Sequence, residues 1–185
     1  MINNDVLRRL RYTFDISDSN MMRLASSEDA KVTRAEISDW LKKDDDPSQK
    51  LCKDAPLAVF LNHFIDDKRG KKEGPQHAPE KKLTNNLIFM KLKIALNLRA
   101  EDVLEILALA NFKLSKHELS AFFRKPGHKH YRECKDQILR NFLQGLQLKH
   151  RPKKVEKLES TVDEKENKKP SSPAYKWKKI KPTST

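Results

Sequence analysis

The chain has 185 residues, of which 37% are hydrophobic and 35% charged, and a formal net charge of +13. Four glycines are too few for a turn-rich β fold, and no segment approaches the roughly 18 to 20 uninterrupted apolar residues of a membrane span. The opening Met1-Ile2-Asn3-Asn4-Asp5 lacks the basic-then-apolar pattern of a secretory leader, so a cytoplasmic, all-α protein with a small core is expected.

Residues 3–64 recur at residues 85–146 with a constant offset of 82 and no insertion or deletion. Asn3-Asn4 returns as Asn85-Asn86, Leu10 as Leu92, Glu36 as Glu118, and Cys52-Lys53-Asp54 as Cys134-Lys135-Asp136. Other pairs keep their chemical type, such as Val6 with Ile88 and Trp40 with Phe122. The chain therefore reads as a tandem duplication: repeat 1 over 1–65, a linker over 66–82, repeat 2 over 83–148 and a disordered basic tail over 149–185. A unit of about 62 residues is near the smallest that folds unaided, so the two copies are expected to pack on each other.

Each repeat predicts four short helices, eight in all. In the first copy Asn3 or Asn4 is placed as the cap of a helix carrying Val6, Leu7, Leu10 and Phe14 at helical spacing. Ser17-Asp18-Ser19 offers the next cap, before Met21, Met22 and Leu24. Thr33-Arg34-Ala35-Glu36 is a capping-box sequence ahead of Ile37, Trp40 and Leu41. Beyond the acidic loop Asp44-Asp45-Asp46-Pro47, Asp54 is placed as the cap of a helix with Leu57, Phe60, Leu61 and Phe64, and Pro56 is tolerated in its first turn.

Glycines and prolines between 66 and 82 mark the linker. In the second copy Leu87, Ile88, Met90, Leu92, Ile94 and Leu96 are assigned to the first helix. Val103-Leu104-Glu105-Ile106-Leu107-Ala108-Leu109-Ala110 is apolar on nearly every face, and is therefore expected between the repeats rather than at a homodimer contact. Ser115-Lys116-His117-Glu118 is again a capping box, and Asp136 again a cap before Ile138, Leu139, Phe142 and Leu143. From Lys149 onward the apolar period stops, and Lys, Glu, Pro, Ser and Thr take over.

The positive charge is uneven: −1 over residues 1–65, +2 over 66–82, +5 over 83–148 and +7 over 149–185. Such asymmetry points towards a polyanionic partner. The densest ordered candidate is Phe123-Arg124-Lys125-Pro126-Gly127-His128-Lys129-His130-Tyr131-Arg132. Its cations could neutralise phosphates and Tyr131 could stack on a base, although a solvated surface loop has the same composition. The first-copy counterpart has three aspartates instead, so a polyanion site is expected only in repeat 2. In the tail, Lys176, Trp177, Lys178 and Lys179 interleave an aromatic with cations, which suits single-stranded RNA or a membrane surface.

Two further patterns fit chemistry less well. Thr33 and Ser115 open helices where a helix-turn-helix would place its recognition helix, with Arg34, Ser38, Lys116, His117 and Ser120 towards a groove. Lys31 and Lys113 occupy the usual glycine of that turn, and two packed helices with a capping box account for the same residues. His128, His130 and Cys134 evoke zinc, yet the first copy keeps only Cys52, so the duplicated cysteine reads as a small buried residue and no disulfide is expected. No nucleophile elbow, phosphate loop or metal-binding helix is present, and neither catalytic residues nor a cofactor are assigned.

Met1-Ile2-Asn3-Asn4-Asp5-Val6-Leu7-Arg8, Leu83-Thr84-Asn85-Asn86-Leu87-Ile88, Glu118-Leu119-Ser120-Ala121-Phe122-Phe123-Arg124-Lys125, Gly127-His128 and the run from Cys134 to Leu146 together resemble the YehS family over residues 1–148. The resemblance implies a bacterial cytosolic protein with a duplicated helical domain and implies no activity. The functional expectation is a non-enzymatic nucleic-acid-binding or regulatory protein, with RNA preferred to DNA. Arg124, Lys125, His128, Lys129, Tyr131 and Arg132 are its ordered contact, and Lys176–Lys179 an auxiliary one. The alternative is a protein-interaction adaptor using helix 103–110 or the groove between the repeats.

Overall fold

The computed structural model describes residues 1–71 and 78–152. Eight helices and no strand occur among them: α1 (Asn3–Phe14), α2 (Asp18–Ala25), α3 (Arg34–Leu41) and α4 (Asp54–Arg69) in the first copy, and α5 (Asn85–Ala95), α6 (Ala100–Leu109), α7 (Lys116–Phe122) and α8 (Asp136–His150) in the second. Residues 1–152 form one compact unit.

Local signals decide several helix starts. Ser17 accepts from the Asn20 amide ahead of α2, and Thr84 from the Leu87 amide ahead of α5. Thr33 and Ser115 form complete capping boxes with Glu36 and Glu118. Those amide and hydroxyl donors hold both glutamate carboxyls below their ordinary range.

The paired asparagines do something other than capping. The residue before α1 is Ile2, which has no capping side chain, and Asn3 and Asn4 lie inside the helix. Asn4 is fully buried; its Nδ2 donates to the carbonyls of Trp40 at 2.9 Å and Lys50 at 2.7 Å, and its Oδ1 accepts from the Cys52 amide at 2.9 Å. Asn86 makes the same three bonds, to the Phe122 and Arg132 carbonyls and the Cys134 amide. One carboxamide thus fastens the end of the third helix and the following loop onto the first helix of each repeat.

Asp54 and Asp136 likewise sit one residue inside their helices, behind Lys53 and Lys135, and give no cap. Asp54 accepts from Asn3 at 2.8 Å in its own repeat and from the Leu83 amide at 2.9 Å, where repeat 2 begins. Asp136 accepts from Asn85 at 2.7 Å and from the Met1 ammonium, where repeat 1 begins. Asn3 and then the Leu83 amide lower the Asp54 carboxyl, while the Met1 ammonium and then Asn85 lower that of Asp136.

The helices follow the same reciprocity. The first helix of each copy packs more extensively on the last helix of the other copy, α1 on α8 and α5 on α4, than on its own. At the far end, Arg151 pairs with Asp15 at 2.7 Å and lies over the Tyr12 ring, while Arg69 donates to Asn97 at 2.6 Å. Asp15 and Asn97 are corresponding residues, and both take the left-handed conformation (φ 54° and 52°) that short polar side chains tolerate. The repeats are therefore related as the subunits of an intertwined two-fold dimer, joined in one chain.

Three further expectations are corrected. The helix Val103–Ala110 does not lie between the repeats: α6 packs on α7 and α8 of its own copy, burying Val103, Ile106 and Leu107. Helix α5 holds the apolar residues assigned to it up to its C-cap at Leu96, and it buries Ile88, Phe89, Leu92 and Ala95 while Ile94 is exposed. Helix α4 continues to Arg69, four residues into the segment read as linker, with Gly70 (φ 83°) as its C-cap. Helix α8 runs to His150, and Arg151 is tied to Asp15, so the second copy extends beyond residue 148. The expected disordered tail from residue 153 onward lies outside the described residues.

One pair of positions separates the copies. A Cβ on Gly145 would lie 1.9 Å from the Ile106 carbonyl oxygen, so α6 and α8 meet backbone to backbone. The corresponding His63 in α4 instead donates from Nδ1 to the Leu24 carbonyl at 3.0 Å, linking α4 to α2 through a side chain.

Asn86→Ala removes the acceptor of one buried amide and the donor of two carbonyls at once. The variant is expected to lose about 2–4 kcal/mol of stability in urea unfolding, and Asn4→Ala at least as much because Asn4 has no exposure. A loss below about 0.5 kcal/mol in both would show that the two carboxamides do not fasten the loops onto the first helices of their repeats.

Candidate functional site

The basic loop starts where α7 ends, at Phe122, and is shaped by two successive turns. The His128 amide donates to the Lys125 carbonyl at 3.1 Å and the Tyr131 amide to the His128 carbonyl at 2.8 Å. Gly127, within the first turn, supplies a positive φ of 89°. The Arg132 amide donates to Ala121 at 3.2 Å, and the Arg132 carbonyl accepts from buried Asn86. Both ends of the loop are thus fixed to the core, while Arg124, Lys125, His128, Lys129 and Arg132 are exposed and Tyr131 is half-buried.

His128 Nδ1 accepts from the His130 amide at 3.1 Å. The neutral ring then carries its proton on Nε2, so the Arg124 guanidinium 3.4 Å from Nε2 is a neighbouring cation rather than a hydrogen-bond donor to it.

The first-copy loop has the same backbone plan, with Asn4 accepting from Cys52 and donating to Lys50 O, and the Lys50 amide donating to the Asp39 carbonyl. Its charges are arranged differently. Asp39 pairs with Lys42 at 2.7 Å and Lys50 at 2.8 Å, while Arg8 pairs with Asp44 at 2.7 Å and with Asp5. Lys42 and then Lys50 hold the Asp39 carboxyl below its ordinary value, and Asp39 raises Lys50.

In repeat 2 these acids are gone. Ala121 stands where Asp39 would be, Pro126 where Asp44 would be and Leu87 where Asp5 would be. The Glu118 carboxylate nearby is committed to the Ser115 cap. Among the described residues, Arg124, Lys125, Lys129 and Arg132 form no ion pair. A chain of exposed cations on an anchored loop, without internal acids to neutralise it, is suited to an external polyanion.

The metal reading finds no support in this geometry. Cys134 is 1% exposed and belongs to the core, whereas His128 and His130 are on the surface. Among the described residues no group of three or more His, Cys, Asp or Glu side chains is placed to hold an ion. Cys52 and Cys134 are free thiols, both pushed up to about 12 chiefly by burial.

The other sequence candidates do not join the loop in one constellation. Arg34 pairs with Asp18 at 3.3 Å, Lys116 with Glu101 at 2.8 Å, and the Ser120 hydroxyl donates to the His117 carbonyl. Residues 26–33 and 110–115 connect the second and third helices of the two copies, longer than the three- or four-residue turn of a helix-turn-helix. Lys176, Trp177, Lys178 and Lys179 lie outside the described residues. No helix among the described residues is long and apolar enough to cross a membrane.

Both thiols are expected to resist an aromatic disulfide reagent at pH 8 in the folded protein and to react in guanidinium, because a neutral buried thiol is a poor nucleophile. Their raised values also make stability fall as pH climbs above 9.0 towards about 12, where the unfolded chain has released protons that the folded chain retains. Rapid labelling of the native protein would contradict this placement.

The chain belongs to the family described as "Protein of unknown function (DUF1456)", whose profile matches once per copy, at residues 3–70 and 85–151. It is similar to the "Uncharacterized protein YehS" of Escherichia coli (strain K12), with 39% identity over 155 residues that span 83% of this chain and 99% of that protein. No solved structure matches it.

Proposed function

We propose that this protein is a non-enzymatic, cytoplasmic RNA-binding protein whose ordered contact is the second-copy loop. The observation that carries the reading is the contrast between two loops of one design. In the first, Lys42, Lys50 and the neighbouring Arg8 pair with Asp39, Asp44 and Asp5, while the second lacks those acids and presents Arg124, Lys125, Lys129 and Arg132 without an ion pair among the described residues. These four residues contact phosphates in the proposed complex. Tyr131 and His128 supply rings for stacking on unpaired bases, and the tail residues Lys176, Trp177, Lys178 and Lys179 add an auxiliary contact.

RNA is preferred to a DNA operator for a geometric reason. The long connections at 26–33 and 110–115 do not reproduce the tight turn that seats a recognition helix in a major groove. A short fixed loop with cations and a half-buried tyrosine is better matched to single-stranded nucleic acid. The adaptor alternative has less to rest on: α6 is spent on packing within its own repeat, and its exposed large apolar residue, Leu109 at 49%, is an ordinary surface feature.

Labelled single-stranded RNA titrated with the full chain should show affinity that falls steeply between about 50 and 200 mM salt, as phosphate contacts are lost. Arg124→Ala with Arg132→Ala should weaken binding about tenfold and lower the salt slope by roughly 1.4, the value for two single-strand phosphate contacts. Comparison with a Lys176→Ala, Trp177→Ala, Lys178→Ala, Lys179→Ala variant separates loop from tail. Unchanged affinity and slope in the Arg124→Ala, Arg132→Ala variant would remove the loop from the interface.

A further inference from the structure

We propose that repeat 1 binds a free α-amino acid in the open cleft of about 330 Å³ that Arg23 of α2, His63, Asp66 and Asp67 of α4, and Lys71 line. That volume is at the small end of organic-ligand sites, which run from about 300 to 1,000 Å³. The two copies differ at every helical position of the lining: Arg23 corresponds to Glu105, His63 to Gly145, Asp66 to Leu148 and Asp67 to Lys149. In repeat 2 position 145 has no room for a side chain, since its Cβ would lie 1.9 Å from the Ile106 carbonyl oxygen. Repeat 1 holds a whole imidazole at that position, bonded to the corresponding carbonyl of Leu24 at 3.0 Å.

His63, Asp66 and Asp67 are three and four positions apart and so share one face of α4. The Leu24 carbonyl can only accept, which puts the proton of the neutral ring on Nδ1 and leaves Nε2 with a bare lone pair. Asp66 is half-buried, and its carboxylate makes no hydrogen bond or ion pair with a described residue. Two acceptors of the cleft are therefore without a donor. From α2, Arg23 donates to Asp67 at 2.7 Å and to Asn20 at 3.5 Å, and its Nη1 has no bond among the described residues. Lys71, exposed two residues past α4, has no ion pair among them either.

Two carboxylates, two cations and the neutral form of an imidazole sum to no net charge, so the lining suits a ligand that carries both signs. Its ammonium donates to the Asp66 carboxylate and His63 Nε2, and its carboxylate accepts from Arg23 and Lys71. Among the described residues no three acidic, histidine or cysteine side chains are placed to hold a metal ion, which favours an ammonium over a metal cation at these acceptors. An α-amino acid has both groups on one carbon, within the size the cleft allows. The site does not rest on the RNA reading, since the second-copy loop contributes none of its residues.

Amide NMR spectra of the full chain, labelled with nitrogen-15 and titrated with each standard L-amino acid in turn, test the site. At least one amino acid should shift the amides of Arg23, His63, Asp66 and Asp67 saturably, while those of Glu105, Gly145, Leu148 and Lys149 in repeat 2 stay in place. The same compound without its ammonium, or with its carboxylate converted to an amide, should bind about tenfold more weakly or worse. Asp66→Leu, which installs the residue of repeat 2, and Arg23→Gln, at an exposed position, should each weaken binding by about the same factor. The spectra also show whether each variant is folded. Arg124→Ala with Arg132→Ala should leave amino-acid binding unchanged, which separates this site from the RNA contact. No saturable shift with any of the amino acids, or full affinity retained in Arg23→Gln and in Asp66→Leu, would overturn the proposal.

Discussion

One buried carboxamide per repeat sets the geometry of everything around it. Asn4 and Asn86 each satisfy two carbonyls and one amide drawn from the end of the third helix and from the loop after it. Those groups lie at the last turn of a helix or in irregular backbone, without a helical partner, and in an apolar core each would cost on the order of 1–3 kcal/mol if left unmade. A hydrophobic residue of similar size could fill the space and could not meet that demand. The loop is thereby pinned at both ends, and its outward side chains are free to change without altering its path. Duplication used that freedom: the same backbone carries paired charges in one copy and unpaired cations in the other.

The second constraint is reciprocal packing. Each first helix lies against the other copy's last helix, and each repeat's start is held by the other's aspartate, Leu83 by Asp54 and Met1 by Asp136. A single repeat would leave the faces of α1 or α5 uncovered, which accords with how little core about 62 residues can build alone. Fusion into one chain fixes the partner and permits the halves to diverge. Divergence is visible where the two-fold relation breaks, at Gly145 against His63, Ala121 against Asp39 and Leu148 against Asp66.

Features encoded within a few residues were legible in the sequence. The duplication, the Thr33 and Ser115 capping boxes, the Ser17 cap and the stripe Leu57, Phe60, Leu61 and Phe64 needed no tertiary information. The asparagines read as caps in the sequence because their hydrogen-bond partners lie 36 to 48 residues away, and only their identity in both copies hints at more. Asp54 and Asp136 failed as caps for the same reason. Helix α6 was misplaced because overall apolarity does not specify which neighbour covers it. At the candidate site, the cations and their exposure were readable from composition. Their lack of partners was not, since it depends on knowing that Asp39, Asp44 and Asp5 converge on the equivalent loop.

If the carboxamides and the exchanged helices make the two repeats one cooperative unit, they must open together. Native-state hydrogen exchange at the amides of Cys52 and Cys134, followed with rising denaturant, reads this directly. The account predicts that both amides, together with the central turns of α4 and α8, exchange through a single global opening with one free energy. Exchange of the Cys52 amide through an opening about 2 kcal/mol or more easier than that of Cys134, with repeat 2 still protected, would contradict it.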